Sequence, residues 1–367
     1  MEWKKINKTF VYDFTGKMIE VKSPLVDSLV DPEHGMVWKK HPRGELIFGK
    51  AKDLLDKPGA TIIPIAGFMP QDKEVKISDG LLRIIAWTVS EGSIRWIKNT
   101  PYVDIAQSKP KDIERIKFLL DKLEFSYLLK KRNKSEISKL QPYRFRIHVD
   151  GSRKITSYLK DKDNVPKWLF NLSNRQFEIF LKEYTMGDGT TYRGKHQNQK
   201  VLYGNSQKWI DYFQTMLFQN GYKSTPYWRS SPLSGKEYCQ LNYQKKTFTE
   251  LKSKRNVKTK QYSGKIWCIN NDNGTVVARR NGKMIITQNT HDVQTFAKTT
   301  VESCKDFHTA RSIGCLCNLN PAYQKNRPSK WVHGFGVAYV HPNGDYSFYN
   351  IFIVKYKFVF NDKLYKL

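Results

Sequence analysis

Two acids recur in this chain with similar surroundings. Glu91 closes the segment 81–91 and is followed by Gly92-Ser93, and Asp188 closes the segment 177–188 and is followed by Gly189-Thr190. The acids are 97 residues apart. Each segment is helix-length, and glycine just past the last turn is a common stop signal. Small residues, Ala86 and Ser90 in the first and Gly187 in the second, allow two helix backbones to approach closely. If the helices cross, their terminal carboxylates converge. Two converging carboxylates with open positions suit Mg²⁺, a hard cation that takes oxygen ligands and keeps several waters. Such a site between phosphate oxygens can activate water and stabilise a leaving oxygen.

The elements that would position these acids also recur. Alternating stretches follow each helix at 102–108 and 201–206. An apolar helical pattern comes next: Ile113, Ile116, Phe118, Leu119, Leu120 and Leu123 in the first copy, and Trp209, Ile210, Phe213, Met216, Leu217 and Phe218 in the second. Alternating strands then close each copy at 143–149 and 238–243. A period of two gives a strand two different faces. In the first closing strand, Tyr143, Phe145, Ile147 and Val149 fall on one face and Arg144, Arg146 and His148 on the other. The second face is either an ordinary solvated one or a surface for a phosphate backbone.

The charge favours a polyanion. The 367 residues carry a formal +29, and residues 71–260 hold 38 Lys and Arg against 19 Asp and Glu. Nucleic acid and anionic membrane are the candidate partners. No apolar run approaches the length of a membrane span, and the Met1-Glu-Trp start lacks a signal-peptide core, so a cytoplasmic protein without a membrane partner is expected. Five cysteines do not suggest a disulfide framework. Cys315 and Cys317 lack the second pair that a structural zinc site needs.

Over roughly residues 75–255 these features resemble the LAGLIDADG homing endonucleases. The block around Gly92 and the Met186-Gly-Asp-Gly189 block match the two signature helices of that family. The resemblance implies an α+β fold with repeats at about 77–165 and 173–255. Each αββαββ half would donate one acid, and the strands would form a saddle over double-stranded DNA. It implies Glu91 and Asp188 as catalytic metal ligands for Mg²⁺, with Arg144, Arg146, His148 and Lys246 as DNA contacts. A lysine near a sheet end often assists in the family, and Lys245 is the candidate; a plain phosphate contact is the other role open to it. Three positions depart from the family pattern. Trp87-Thr88 replaces an aliphatic pair, Glu91 replaces the commoner Asp, and Glu183 stands where a small residue is usual. The alternative reading is therefore a decayed, DNA-binding-only endonuclease. A basic transcription factor is disfavoured, because no helix-turn-helix pattern appears and the acids are duplicated.

The flanks carry a second resemblance. Residues 258–289 read as three strands joined by Asp-Asn-Gly and Asn-Gly turns. The segment is similar to the C-terminal splicing blocks of inteins, with Trp267-Cys268 in one block and Asn289 followed by Thr290 at the end. A side-chain amide can cyclise onto its own carbonyl, and a hydroxyl after it can accept an acyl group. Gln288 stands where inteins often have His. Near the N-terminus, 30–37 resembles the block that holds a Thr-x-x-His. Asp31 replaces the Thr, and His34 would protonate the scissile amide nitrogen or strain that bond. The resemblance implies catalytic roles for His34, Cys268, Asn289 and Thr290. It places an all-β splicing (Hint) fold at 1–70 and 258–289, with the endonuclease at 71–257 inserted between. Inteins begin with Cys or Ser, and no Cys precedes Cys239. An incomplete element is therefore expected, capable at most of C-terminal cleavage or of trans-splicing with a missing N-terminal fragment. Residues 290–367 are expected to be a β-rich host fragment. They look like the end of a calcineurin-like metallophosphoesterase, with His291 as a metal ligand.

Overall fold

The computed structural model describes residues 1–55, 59–71, 73–133, 140–191, 200–232, 235–271, 273–288, 333–344, 346–354 and 356–366. The chain divides into two compact units. The larger comprises Met1–Lys5, Tyr12–Ile266 and Thr275–Gln288, and the smaller contains Ile6–Val11, Trp267–Gly274 and the described residues from 333 onward.

Within the larger unit, the chain opens with β1 (Lys8–Lys22, partly in the smaller unit), β2 (Asp27–Val30), β3 (Gly35–Trp38), β4 (Ile47–Lys50) and β5 (Ala60–Pro64). The first repeat follows as α1 (Asp79–Glu91), β6 (Gly92–Ile97), β7 (Thr100–Gln107), α2 (Pro110–Lys122), β8 (Tyr127–Lys131) and β9 (Tyr143–Ile147), and α3 (Val149–Thr156) trails it. The second is α4 (Asn174–Asp188), β10 (Gly189–Thr191), β11 (Lys200–Gly204), α5 (Gln207–Gln219), β12 (Tyr222–Ser230) and β13 (Glu237–Lys245). Both repeats run αββαββ, and their sheets have matching orders, β6-β7-β9-β8 and β10-β11-β13-β12. The α+β fold class and the duplication read from the sequence are both present.

Helices α1 and α4 each start at a serine cap. Ser78 Oγ accepts from the Leu81 amide, and Ser173 forms a capping box with Gln176. Gln176 also ties the repeats together, since Val75 N–H donates to its Oε1 at 3.0 Å and its Nε2 donates to Val75 O at 2.9 Å. One apolar core runs through both repeats and includes Leu82, Ile85, Trp87, Phe145, Phe177, Phe180 and Phe213. Each such side chain contributes about 1.5–3 kcal/mol when fully buried. Of the expected core residues of the α2 pattern, Ile113, Ile116, Leu119 and Leu120 are buried, Leu123 is partly buried just past α2, and Phe118 faces solvent.

Two sequence readings change. The closing strand of repeat one ends at Ile147. His148 turns into α3 and its carbonyl accepts from the Ser152 amide at 2.9 Å, so His148 and Val149 do not continue the alternation. The second repeat ends at β13. The next strand, β14 (Phe248–Lys252), pairs antiparallel with β5. The flanking segment thus begins about ten residues before the expected position 258.

β15 (Val257–Asn270), β16 (Thr275–Arg280) and β17 (Lys283–Gln288) complete the flanking strands. Sheets β15-β1-β2 and β16-β17-β3-β4 join the segments on either side of the repeats. A second core of Ile19, Val21, Met36, Trp38, Ile63, Leu251, Val257 and Ile285 draws from both segments. In the smaller unit, β18 (Gly334–Val340) pairs with β19 (Tyr346–Phe352), and β20 (Lys357–Phe360) with β21 (Lys363–Lys366). Among the described residues, no helix is long and apolar enough to cross a membrane.

Candidate functional site: two carboxylates at a helix junction

Glu91 is the last residue of α1 and Asp188 the last of α4, and the two helices pack together at these ends. A Cβ added to Gly187 would lie 2.9 Å from Ser90 Cβ and 3.2 Å from Glu91 Cγ. Only glycine fits there, which accounts for the small residues beside the acids. Burial pushes the Glu91 carboxyl up to about 7, and repulsion from Asp188 adds to it against the pull of Lys109 and Lys162. Burial likewise raises Asp188 to about 6, against Lys162 and Lys109. The two titrate as a pair, so proton loss belongs to the site rather than to one residue. A cation relieves this concentrated negative charge.

Sequence reading missed Lys109 and Lys162. Lys162 follows α3, and its Nζ donates to Gly92 O at 2.8 Å and Ser90 O at 3.4 Å, at the end of α1. Burial lowers its pKa, while Asp188 and Glu91 oppose that. Lys109 precedes α2, and its Nζ donates to Met186 O at 3.4 Å, at the end of α4. Each helix thus has an ammonium at its carbonyl end, where cations are favoured. The only sequence signal for either was a basic residue outside the signature segments.

Lys245 takes a different place from the one expected. Its Nζ lies 3.9 Å from Glu178, in the first turns of α4 and ten residues before Asp188. At about 1.5 Å rise per residue, that is roughly 15 Å along the helix from the acid. Lys245 is therefore remote from the carboxylates, and the ammonium groups beside them are those of Lys109 and Lys162. Lys246 is exposed just beyond β13, its amide bonded to Gly221 O at 3.0 Å.

Glu183, on α4, is fully buried. It accepts from Arg83 Nη1 at 2.6 Å, from Trp87 Nε1 at 2.9 Å and from Arg115 Nε at 3.1 Å, with a further bond from Arg115 Nη2. Burial opposes its charge, but the bonds from Arg115 and Arg83 prevail and hold the carboxyl below its usual value. It fastens α4 to α1 and α2.

Both sheets start at the residue after an acid. In repeat one, Arg144 and Arg146 lie on the sheet face opposite buried Phe145 and Ile147, as expected. In the flanks, His34 Nε2 lies 2.9 Å from Thr287 Oγ1, and Gly35 sits against the Gln288 side chain, where an added Cβ would be 2.6 Å from Gln288 Cβ. Cys268 is a buried thiol on β15. Asn289, Thr290, His291, Cys315 and Cys317 lie outside the described residues. Among the described residues there is no group of three or more His, Cys, Asp or Glu able to hold a metal. A cation at the helix junction would therefore have two carboxylates and solvent oxygens, a donor set that fits Mg²⁺.

No family model matches the sequence. No curated protein matches it either. Among solved structures, the chain is similar to I-DmoI in complex with DNA and Mn at 12% identity, with 44% of this chain and 89% of that one covered and a TM-score of 0.32. It is similar to the homing endonuclease I-WcaI bound to its DNA recognition sequence at 13% identity, over 47% of this chain and 79% of that one, with a TM-score of 0.34. It is also similar to full-length DUF199/WhiA from Thermatoga maritima at 9% identity, over 47% of this chain and 53% of that one, with a TM-score of 0.33.

Proposed function

We propose that the duplicated module is a metal-dependent, site-specific endonuclease of the LAGLIDADG kind, acting on double-stranded DNA. The observation that carries this reading is the meeting of Glu91 and Asp188 at the ends of two packed helices, with both carboxyls raised by burial. These two carboxylates would hold Mg²⁺, which supplies an activated water and charge neutralisation at a phosphodiester. Lys109 and Lys162 place positive charge beside the acids, where phosphate charge would gather. Arg95, Lys130, Arg144 and Arg146 share the open face of the first sheet, and Lys223 and Arg229 that of the second. Phosphate neutralisation by lysines such as Lys130 and Lys223 gives affinity, and the sheets hold the DNA strands in register over the acids.

The test uses the full chain and the duplexes it enriches from a randomised library by binding. Glu91→Gln and Asp188→Asn are expected to abolish Mg²⁺-dependent cleavage and leave binding within a few-fold. Binding should weaken steeply between 50 and 200 mM salt, roughly 10³-fold or more if six phosphates are neutralised. Binding by the wild-type chain without any cleavage would favour a decayed, DNA-binding-only module. A flat salt response would leave the basic charge a merely solubilising one.

We infer in addition that the flanking β-segments form a self-processing element of the intein kind. The pairing of His34 with Thr287, two residues before Asn289, favours it.

A further inference from the structure

The two sheets can be aligned through their first glycines. Gly92 pairs with Ile105 and Gly189 with Leu202. Asp104 of β7 therefore corresponds to Val201 of β11, and Ala106 to Tyr203. The registers Asp104↔Arg146 and Ala106↔Arg144 then correspond to Val201↔Asn242 and Tyr203↔Gln240. One sheet position thus carries Arg144 in repeat one and Gln240 in repeat two. The next carries Arg146 and Asn242.

The chemistry around these positions differs as well. Asp104, 6% exposed at its side chain, gathers three guanidinium groups: Arg95 Nη2 at 3.1 Å, Arg146 Nε at 3.2 Å and Arg144 Nη1 at 3.7 Å. Each arginine has further N–H donors beyond the one that faces Asp104. All three keep a third or more of their side-chain surface exposed. The acid pre-sets the forks and lowers the entropy lost when they engage a ligand. Among the described residues the open face of repeat two has no acid; beside Lys223 and Arg229 it presents Tyr203, Tyr227, Tyr238, Gln240 and Gln244. Asn242 shares that face, but its Oδ1 is shielded and unpartnered, which leaves Gln240 and Gln244 as the reading amides.

A two-stranded ribbon enters the major groove, where arginine forks fit guanine O6 and N7 and carboxamides fit adenine N6 and N7. We infer that the two halves of the DNA target differ in composition. Repeat one reads guanines through Arg144 and Arg146 held by Asp104, and repeat two reads adenines through Gln240 and Gln244. This inference rests on the DNA-binding reading above.

The experiment selects duplexes from a randomised library with the full chain in EDTA, so that binding is read without cleavage. Enriched sequences should carry guanines in one half and adenines in the other. Arg144→Gln should move one position from guanine toward adenine, with discrimination changing about 5- to 150-fold, and leave the other half untouched. Gln240→Ala should relax only the other half. Asp104→Asn should loosen guanine selectivity while raising affinity for random DNA, because it removes one negative charge from the face. Halves of equal composition would overturn the inference and leave the endonuclease proposal standing. So would an Arg144→Gln variant that loses affinity for all duplexes alike, since that marks a phosphate contact. Failure to retain any duplex at low salt would instead remove the DNA-binding reading itself.

Discussion

Trp87 Nε1 of α1 donates to Glu183 Oε2 of α4 at 2.9 Å, across the interface of the two helices. Each satisfies the other. With Arg83 and Arg115 on the same carboxylate, Glu183 is the hub of a buried ion network. Removing one partner from such a network leaves uncompensated charge. Glu183→Ala should cost about 3–5 kcal/mol, and Trp87→Phe, which loses a bond to a charged group, about 1.5–3 kcal/mol. Urea denaturation of single and double variants gives both values and their coupling. Additive losses would show that the pair is not coupled. The Glu183 pKa is depressed in the folded chain, so its contribution is present above the unfolded value near 4.5 and is lost as pH falls through the folded value.

The second prediction concerns the paired acids. Glu91 rises from 4.5 to about 7 and Asp188 from 3.8 to about 6. A raised acid binds more protons folded than unfolded. Without metal, stability should therefore decline as pH climbs from the unfolded values through about 7, and level off above. Divalent cations compete with those protons, so their affinity should increase over the same range. Calorimetric titration with Mn²⁺ or Mg²⁺ at several pH values between 5.5 and 8 measures this. An affinity independent of pH would sink the assignment of both acids as ligands.

Much of this arrangement could be read in the chain. The repeat, the acid-Gly ends and the small residues before them are local patterns, and the structure joins them as their spacing implied. Glu183 read as a defect because its partners Arg83, Trp87 and Arg115 are 100, 96 and 68 residues away. Lys162 and Lys109 were invisible for a similar reason, since each reaches backbone carbonyls, which leave no signature in side-chain spacing. The expectation for Lys245 assumes that the end of its strand approaches the acids. The β13 strand instead delivers it to the opposite end of α4. The short strands β6 and β10 also gave no separate signal beside the helix ends they follow.

A third prediction isolates the missed lysines. Lys162 and Lys109 both lower the Glu91 and Asp188 pKa values. Lys162→Met should therefore move the carboxyl titration of the metal-free chain upward, and Lys109→Met should do the same. Carbon-detected NMR of labelled Glu and Asp side chains follows it directly. A downward or absent shift in both variants would mean that the ammonium groups face only the helix carbonyls.

The last prediction addresses the flanking element. His34 sits 2.9 Å from Thr287, and Gln288 packs over Gly35, directly before Asn289-Thr290. Attack of the Asn289 side-chain amide on its own carbonyl would form a succinimide and free the amine of Thr290, a step that needs a proton at the departing nitrogen. A histidine with a near-neutral pKa is suited to deliver one. Prolonged incubation of the purified chain should yield a fragment ending at Asn289, lighter by one water than the hydrolysed acid. Asn289→Ala should abolish the break, and His34→Ala should slow it by on the order of 100-fold, a usual contribution of general acid catalysis. Intact mass spectrometry reads all three chains. A break that persists in Asn289→Ala would refute amide cyclisation, and an unchanged rate in His34→Ala would remove His34 from the mechanism.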